Sequence, residues 1–287
     1  MTPYGPLVKK IRISKKYTQK EVYSGITSRS FYSKFEAGKY SIEAYKFKRI
    51  LENLNISEAE FFFIYNKENK DNKGVTMRDV INYYHAFDLH SVDELLAIYE
   101  DNKNSETRSD QLISLTAYVL AWSLRPTIDR GPLNTIKEYF IRIESFSLLE
   151  LELFITTFFI FFDDQELIEQ LLSKAITDIK TLWPLNPDLL DRLAGALYVN
   201  MIQLLIVNNH VKKAYLLDTI LLPALEPLKI SLTTQLYITF FKSFIEKDRK
   251  QVMNILDLFK QNDVQSYSLI NRIVQSSDFL RVFDLNL

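Results

Sequence analysis

Six glycines and eight prolines in 287 residues leave this chain few places to turn sharply, and it has no cysteine with which to staple a loop. Gly and Pro are the strongest local punctuation a sequence carries, so their scarcity points to long elements joined by short connections. Apolar residues recur at helical spacing along most of the length. Strand signals are lacking, because the aromatic-rich runs are too long and carry Glu150 and Glu152 where a strand would need apolar residues. The expected class is all-α. The absence of cysteine also excludes disulfides, zinc–thiolate sites and thiol catalysis. The opening MTPYGPLVKK lacks the apolar core of a signal peptide. The most apolar run, LFITTFFIFF at Leu153 to Phe162, is 10 residues long, about half of what crosses a bilayer. A soluble, cytoplasmic protein with no membrane partner is expected.

The net charge of −1 conceals a division. Residues 1–66 hold 12 Lys and Arg against 6 Glu, or +6, and the rest holds 23 basic against 30 acidic residues, or −7. A small basic head on a larger acidic body suggests a polyanion-binding module joined to something that binds no polyanion.

Five short helical patterns fill the head. Leu7, Val8 and Ile11 share one face of the first. Thr18-Gln19-Lys20-Glu21 reads as a capping box opening the second, with Gly25 as its left-handed stop. Ser28 can cap a third that ends at Gly38, while Ser41 and Ser57 open the last two, Ser57 through a second capping box with Glu60. Ile42, Phe47, Ile50, Leu51, Leu54, Phe61 and Phe62 supply the core. With Tyr32 and Phe35 turned inward, Arg29, Ser30, Ser33 and Lys34 project outward and Phe31 lies at the margin. Arg and Lys can donate to guanine O6 and N7, Ser can bond either way, and an aromatic ring can pack on a thymine methyl. No Asp or Glu between Thr27 and Phe35 would repel phosphate. A capped helix leading by a tight turn into such a helix is helix-turn-helix geometry.

On these residues the segment 5–65 resembles the XRE-type helix-turn-helix, and more narrowly its version in the Rgg family of Gram-positive transcription regulators. The matching features are Arg12, Gln19, the run from Ser28 to Lys39 and the closing EFFFIYN. The turn Gly25-Ile26-Thr27-Ser28 is about one residue tighter than the commonest XRE turn. The resemblance implies that Gln19 reaches the phosphate backbone from the start of helix 2. It further implies that Arg29, Ser30 and Lys34 read bases, that Lys39 touches phosphate, and that Arg12 and Glu36 form a buried ion pair.

KENKDNKG, from Lys67 to Gly74, has no apolar periodicity and marks a boundary. The expected domains are 1–66, a DNA-binding head; 67–75, a linker; and 76–287, about eleven helices paired as hairpins. Hairpins of that length suggest an α-solenoid, although only the stretch from Asn208 to Leu221, with Ala214 at a close approach, has a tetratricopeptide character. The Rgg resemblance implies a tetratricopeptide-like C-terminal domain that dimerises and binds a short signalling peptide on its concave face. An extended peptide has unpaired backbone groups, so its groove needs amides among apolar pockets. Arg192, Asn200 and Gln203 form a polar stripe on one otherwise apolar helix, and Gln235, Thr239 and Lys242 on another. The resemblance adds that Asn200 matches an Asn that recurs in such receptors. Asn200 is therefore expected to pair with peptide backbone, with Gln203 and Gln235 beside it. Arg142 and Arg192 would receive a carboxylate, and Tyr198 and Tyr237 would line pockets. Solvent exposure or helix–helix contact would explain the same polar residues without a peptide. Ile255, Leu256, Leu258, Phe259, Leu269, Ile270, Ile273 and Val274 are the candidates for a homodimer interface.

Catalysis finds no support. His85, His90 and His210 are not spaced as metal ligands, and no phosphate-loop, dinucleotide, serine-elbow or zincin motif occurs. No cofactor is expected, and an enzyme is not. The reading that results is a dimeric regulator that binds a double-stranded DNA operator under the control of a short peptide. Its rivals are a helical-repeat interaction scaffold and a peptide-independent XRE-type repressor.

Overall fold

The structure is a computed structural model that describes residues 3–69, 75–86, 89–126, 129–161, 164–207 and 231–275. The chain divides into two units, Met1–Gly74 and Val75–Leu287. Among the described residues there are fifteen α-helices and no strand.

In the first unit α1 spans Tyr4–Ser14, α2 Gln19–Tyr23, α3 Arg29–Glu36, α4 Ala44–Asn53 and α5 Glu58–Glu68. Their apolar stripes meet in one core of Leu7, Val8, Ile11, Val22, Tyr32, Phe35, Phe47, Ile50, Leu51, Leu54 and Phe61. Both capping boxes form, at Thr18 with Glu21 and at Ser57 with Glu60, and Ser28 caps α3 by accepting from the Phe31 N–H. Gly25 and Gly38 take φ of +72° and +73°, the left-handed backbone in which a side chain costs about 1–2 kcal/mol. Gly5 serves another purpose: a Cβ there would run into the carbonyl oxygen of Phe35, so its lack of a side chain lets α1 lie against the end of α3.

Two expectations for this unit change. Ser41 does not open α4; the helix starts at Ala44 with Glu43 as N-cap and no side-chain cap bond. Ile42 and Phe47 both join the core, at the positions of a hydrophobic staple, so an apolar clasp takes the place of a hydroxyl. Phe62 sits at the core's edge, 38% exposed, edge-on to Tyr4 and Phe61.

The second unit begins with α6 Met77–Ala86, α7 Leu89–Asn102, α8 Arg108–Leu124 and α9 Gly131–Arg142. Next come α10 Leu148–Thr157, a 3-10 turn Phe158–Phe161, α11 Gln165–Leu182 and α12 Pro187–Val207. Beyond residue 230 lie α13 Leu232–Ile245, α14 Arg249–Asn262 and α15 Val264–Gln275. Neighbouring helices pack on one another from α6 to α9, from α10 to α12 and from α13 to α15, and α8, α10, α12 and α13 also pack on one another in that order. The apolar run from Leu153 is buried, and within it α10 gives way to the 3-10 turn with Phe154, Phe158 and Phe161 in the core. The tetratricopeptide-like stretch 208–221 and His210 lie outside the described residues.

The apolar surface assigned to a dimer interface is largely spent within the chain. Ile255, Leu256, Phe259 and Ile270 are buried in its own core, and of the described side chains in this group Leu258 alone is exposed, at 46%. The side chains of Leu269, Ile273 and Val274 lie outside the described set. An apolar stripe on a helix records that something covers it, and here α13 covers α14, with the rings of Tyr237 and Phe259 5.1 Å apart.

Candidate nucleic-acid interface and peptide site

The connection between α2 and α3 is built from local bonds. The N–H groups of Ile26 and Thr27 both donate to the Tyr23 carbonyl, at 3.0 and 3.2 Å, and Gly25 supplies the positive φ that allows this. Helix α3 then buries Tyr32, Phe35 and Glu36 and leaves Arg29, Ser30, Ser33 and Lys34 exposed, with Phe31 half-buried. That outward face carries two cations, two hydroxyls and no carboxylate.

Behind it lies the ion pair. Arg12 Nε and Nη2 donate to the two Glu36 oxygens at 2.6 and 3.0 Å, and Arg12 Nη1 donates to the Tyr17 carbonyl at 2.8 Å. The side chains of Arg12 and Glu36 are only 12% and 2% exposed. Burial by itself would push the Glu36 carboxyl up. The bonds from Arg12 and Gln19 and the Arg12 charge outweigh it and hold the carboxyl below its ordinary range. The Tyr32 hydroxyl, buried beside the pair, meets no partner of normal hydrogen-bond geometry among the described residues. Burial, and then the Glu36 charge, push its pKa well up.

Gln19 departs from expectation. Its amide does not reach outward but donates to Glu36 Oε2 at 2.7 Å. A carboxylate has room for several donors, and Arg12 leaves part of Glu36 to be satisfied from α2. Tyr40, which the sequence reading passed over, flanks α3. Lys34 Nζ donates to its hydroxyl at 3.3 Å and lies 5.0 Å from its ring centre, and the Phe31 ring is 5.5 Å away on the same tyrosine. No periodic signal marks Tyr40, since it sits in a loop six residues beyond Lys34. Lys39 is exposed in that loop.

In the second unit α10 and α12 run side by side. Glu152 feels the charge of Arg192, and the Asn200 Nδ2 donates to the Ile155 carbonyl at 3.1 Å, so the pairs advance in the same direction along both helices. Leu149, Glu152 and Thr156 on α10 and Ala196 and Asn200 on α12 are half-buried, with Arg192 exposed, forming an accessible strip along this seam. Asn200 therefore already makes a helix–helix contact. Its amide has two donors and an acceptor, of which this bond uses one donor. Gln203 is described only as part of the α12 backbone. On the next helix Gln235 is exposed and Thr239 donates to the Gln235 carbonyl at 2.8 Å.

Three expected members are not brought to the strip. Tyr198 is wholly buried. Tyr237 turns from Gln235 toward Phe259, as two residues on a helix point to nearly opposite sides. Arg142 ends α9, the helix bonded to α11 through Lys174 and the carbonyls of Phe140 and Ile143, and it pairs on the surface with Glu138 at 3.0 Å.

Comparison with known proteins adds the family. The model of the family described as Helix-turn-helix, HTH_3, matches residues 8–61. The first unit is a helix-turn-helix domain. The helix-turn-helix match covers α2, the Gly25 turn and α3, the elements that carry Arg29, Ser30, Ser33 and Lys34. Across nearly the whole length the chain shares its fold with solved structures. A candidate transcriptional regulator from Listeria monocytogenes EGD-e superposes with TM-score 0.78 at 22% identity, covering 99% of each chain. The Streptococcus dysgalactiae SHP pheromone receptor Rgg2 gives 0.68 at 17%, covering 94% of this chain and 98% of that one. PrgX in its complex with cCF10 gives 0.65 at 19%, covering 98% and 92%. The helix-turn-helix domain and the helical unit that follows it in sequence thus share the fold of the Rgg2 and PrgX structures.

Proposed function

We propose that this chain is a DNA-binding transcription regulator controlled by a short signalling peptide. Residues 1–66 form the DNA-binding head, 67–75 the linker, and 76–287 the unit that binds peptide and joins two copies. It acts in the cytoplasm, where its operator lies. The observation that carries the reading is the outward face of α3, where Arg29, Ser30, Ser33 and Lys34 stand exposed on a capped helix-turn-helix with no carboxylate on that face. Two such heads on a dimer would address two half-sites. The shared fold with Rgg2, described as a pheromone receptor, and with PrgX, described in complex with cCF10, supports peptide control. A peptide regulates only by binding one arrangement of the heads better than another, typically by about 1–3 kcal/mol.

The test is a mobility shift with duplex DNA from the regions flanking the gene. A shift is expected that weakens with salt and disappears in an Arg29→Ala/Lys34→Ala double variant. Retention of the shift by that variant would overturn the role given to α3. The bond from Asn200 to Ile155 favours a second reading, a repressor that needs no peptide, because it gives Asn200 an internal task. An operator response to culture supernatant, lost in Asn200→Ala, separates the two.

A further inference from the structure

We propose that the peptide taken by this chain carries a positive charge and that Glu152 receives it. This rests on the peptide-controlled reading above and narrows its ligand.

Glu152 lies on α10 one turn before Ile155, whose carbonyl holds Asn200, and it shares the accessible strip with Leu149 and Thr156. Among the described residues its carboxylate has neither a hydrogen bond nor an ion pair. Arg192 acts on it through space without coming within ion-pair distance. Burial, opposed only by that distant charge, holds the carboxyl above its ordinary range. A half-buried carboxylate lacking a counter-ion is an unfavourable arrangement that an arriving cation would relieve. The surrounding unit favours the same sign, because residues 67–287 carry a net −7, a field that attracts cationic ligands. A metal ion is a poor occupant, since no group of three or more ligating side chains exists among the described residues.

The spacing fits a peptide. Glu152 and Ile155 are three residues apart, a rise of about 4.5 Å along the helix. An extended chain advances about 3.3 Å per residue. A peptide whose backbone is held at Asn200 therefore presents a side chain to Glu152 one or two positions away. A lysine or arginine there would place its charge against the carboxylate and lay its methylenes along Leu149. Arg192 is left to receive a carboxylate from the same ligand.

Affinity selection tests this with full-length protein and a mixed pool of synthetic octapeptides, the retained peptides being sequenced by mass spectrometry. Wild type is expected to enrich Lys or Arg at one position by about tenfold over the input, the scale of one well-placed charge pair. Glu152→Gln, which breaks no bond among the described residues, should melt as wild type does and retain peptides without that enrichment. Glu152→Lys should enrich Asp or Glu instead. Peptides retained by wild type with no basic preference, or the same preference in Glu152→Gln, would overturn the inference and leave peptide control standing. Retention of no peptide by wild type would overturn both.

Discussion

Three donors converge on the carboxylate of Glu36, two from Arg12 and one from Gln19, so one acidic side chain ties α1, α2 and α3 together. The folded protein holds this group below the roughly 4.3 of an unfolded glutamate. A depressed carboxyl contributes stability above its unfolded pKa and loses it as pH falls through the folded value. Hydrogen-exchange protection of α1 to α3 is therefore expected to weaken below about pH 4.3. In Glu36→Gln that acid dependence should be reduced, the remainder coming from Glu21, whose carboxyl is also held down by its bonds with Thr18. Protection at neutral pH should be about 3 kcal/mol lower, since the buried Arg12 loses its counter-charge. Asn200 acts at the same scale in the other unit. Asn200→Asp removes the donor to Ile155 and should cost about 1 kcal/mol in urea unfolding, a loss that an internal contact predicts whether or not a peptide binds.

Helix ends decide the geometry at the next scale. Helix α2 has five residues, too few to persist without the Thr18–Glu21 box at its start and Gly25 beyond its end. Two substitutions of opposite sign test the turns. Gly38 has φ +73° with Pro6 and Pro3 at 3.3 and 3.4 Å from where a Cβ would stand. Gly38→Ala should destabilise the domain by about 1–2 kcal/mol. Lys16, just past the Lys15 C-cap of α1, has φ +60° and carries the strain a glycine would avoid. Lys16→Gly should raise the melting transition, a gain of about 0.5–1 kcal/mol. Thermal unfolding followed by circular dichroism reads both, and matching signs would show that these φ values do not govern the ends.

The whole molecule divides its charge, +6 in residues 1–66 against −7 in the rest, a field that favours DNA at the helix-turn-helix domain and disfavours it at the residues that follow. Association should be steeply salt-dependent, since each phosphate neutralised contributes about 0.9 to the slope of log affinity against log salt. Lys39→Ala, in the loop after α3, should weaken binding evenly across sequences and reduce that slope by about 1. Arg29→Ala should instead relax discrimination at one base pair, at about 1–3 kcal/mol. Fluorescence anisotropy at several salt concentrations, on matched and altered duplexes, distinguishes the two effects. Equal loss of discrimination in both variants would mean that Lys39 also faces bases.

Local chemistry settled several helix ends of the first unit and the two faces of α3 in advance. Capping pairs at Thr18 and Ser57, glycines at 25 and 38, and the inward and outward faces of α3 each depend on residues within a few positions of one another. Their spacing alone reveals them. The tasks of individual polar side chains were not legible in that way. Gln19 serves Glu36 17 positions on, and Asn200 serves Ile155 45 positions back. Glu152 has no ion-pair or hydrogen-bond partner among the described residues, which no local pattern could have assigned or denied. Amphipathic spacing likewise declared that α14 has an apolar side but not that its own neighbour, rather than a second copy, covers Ile255 and Phe259. Helix period and caps are properties of adjacent residues, so the sequence alone determined them. Which partner satisfies a buried charge, an amide or an apolar stripe is a property of distant residues meeting, and only the tertiary structure decided it.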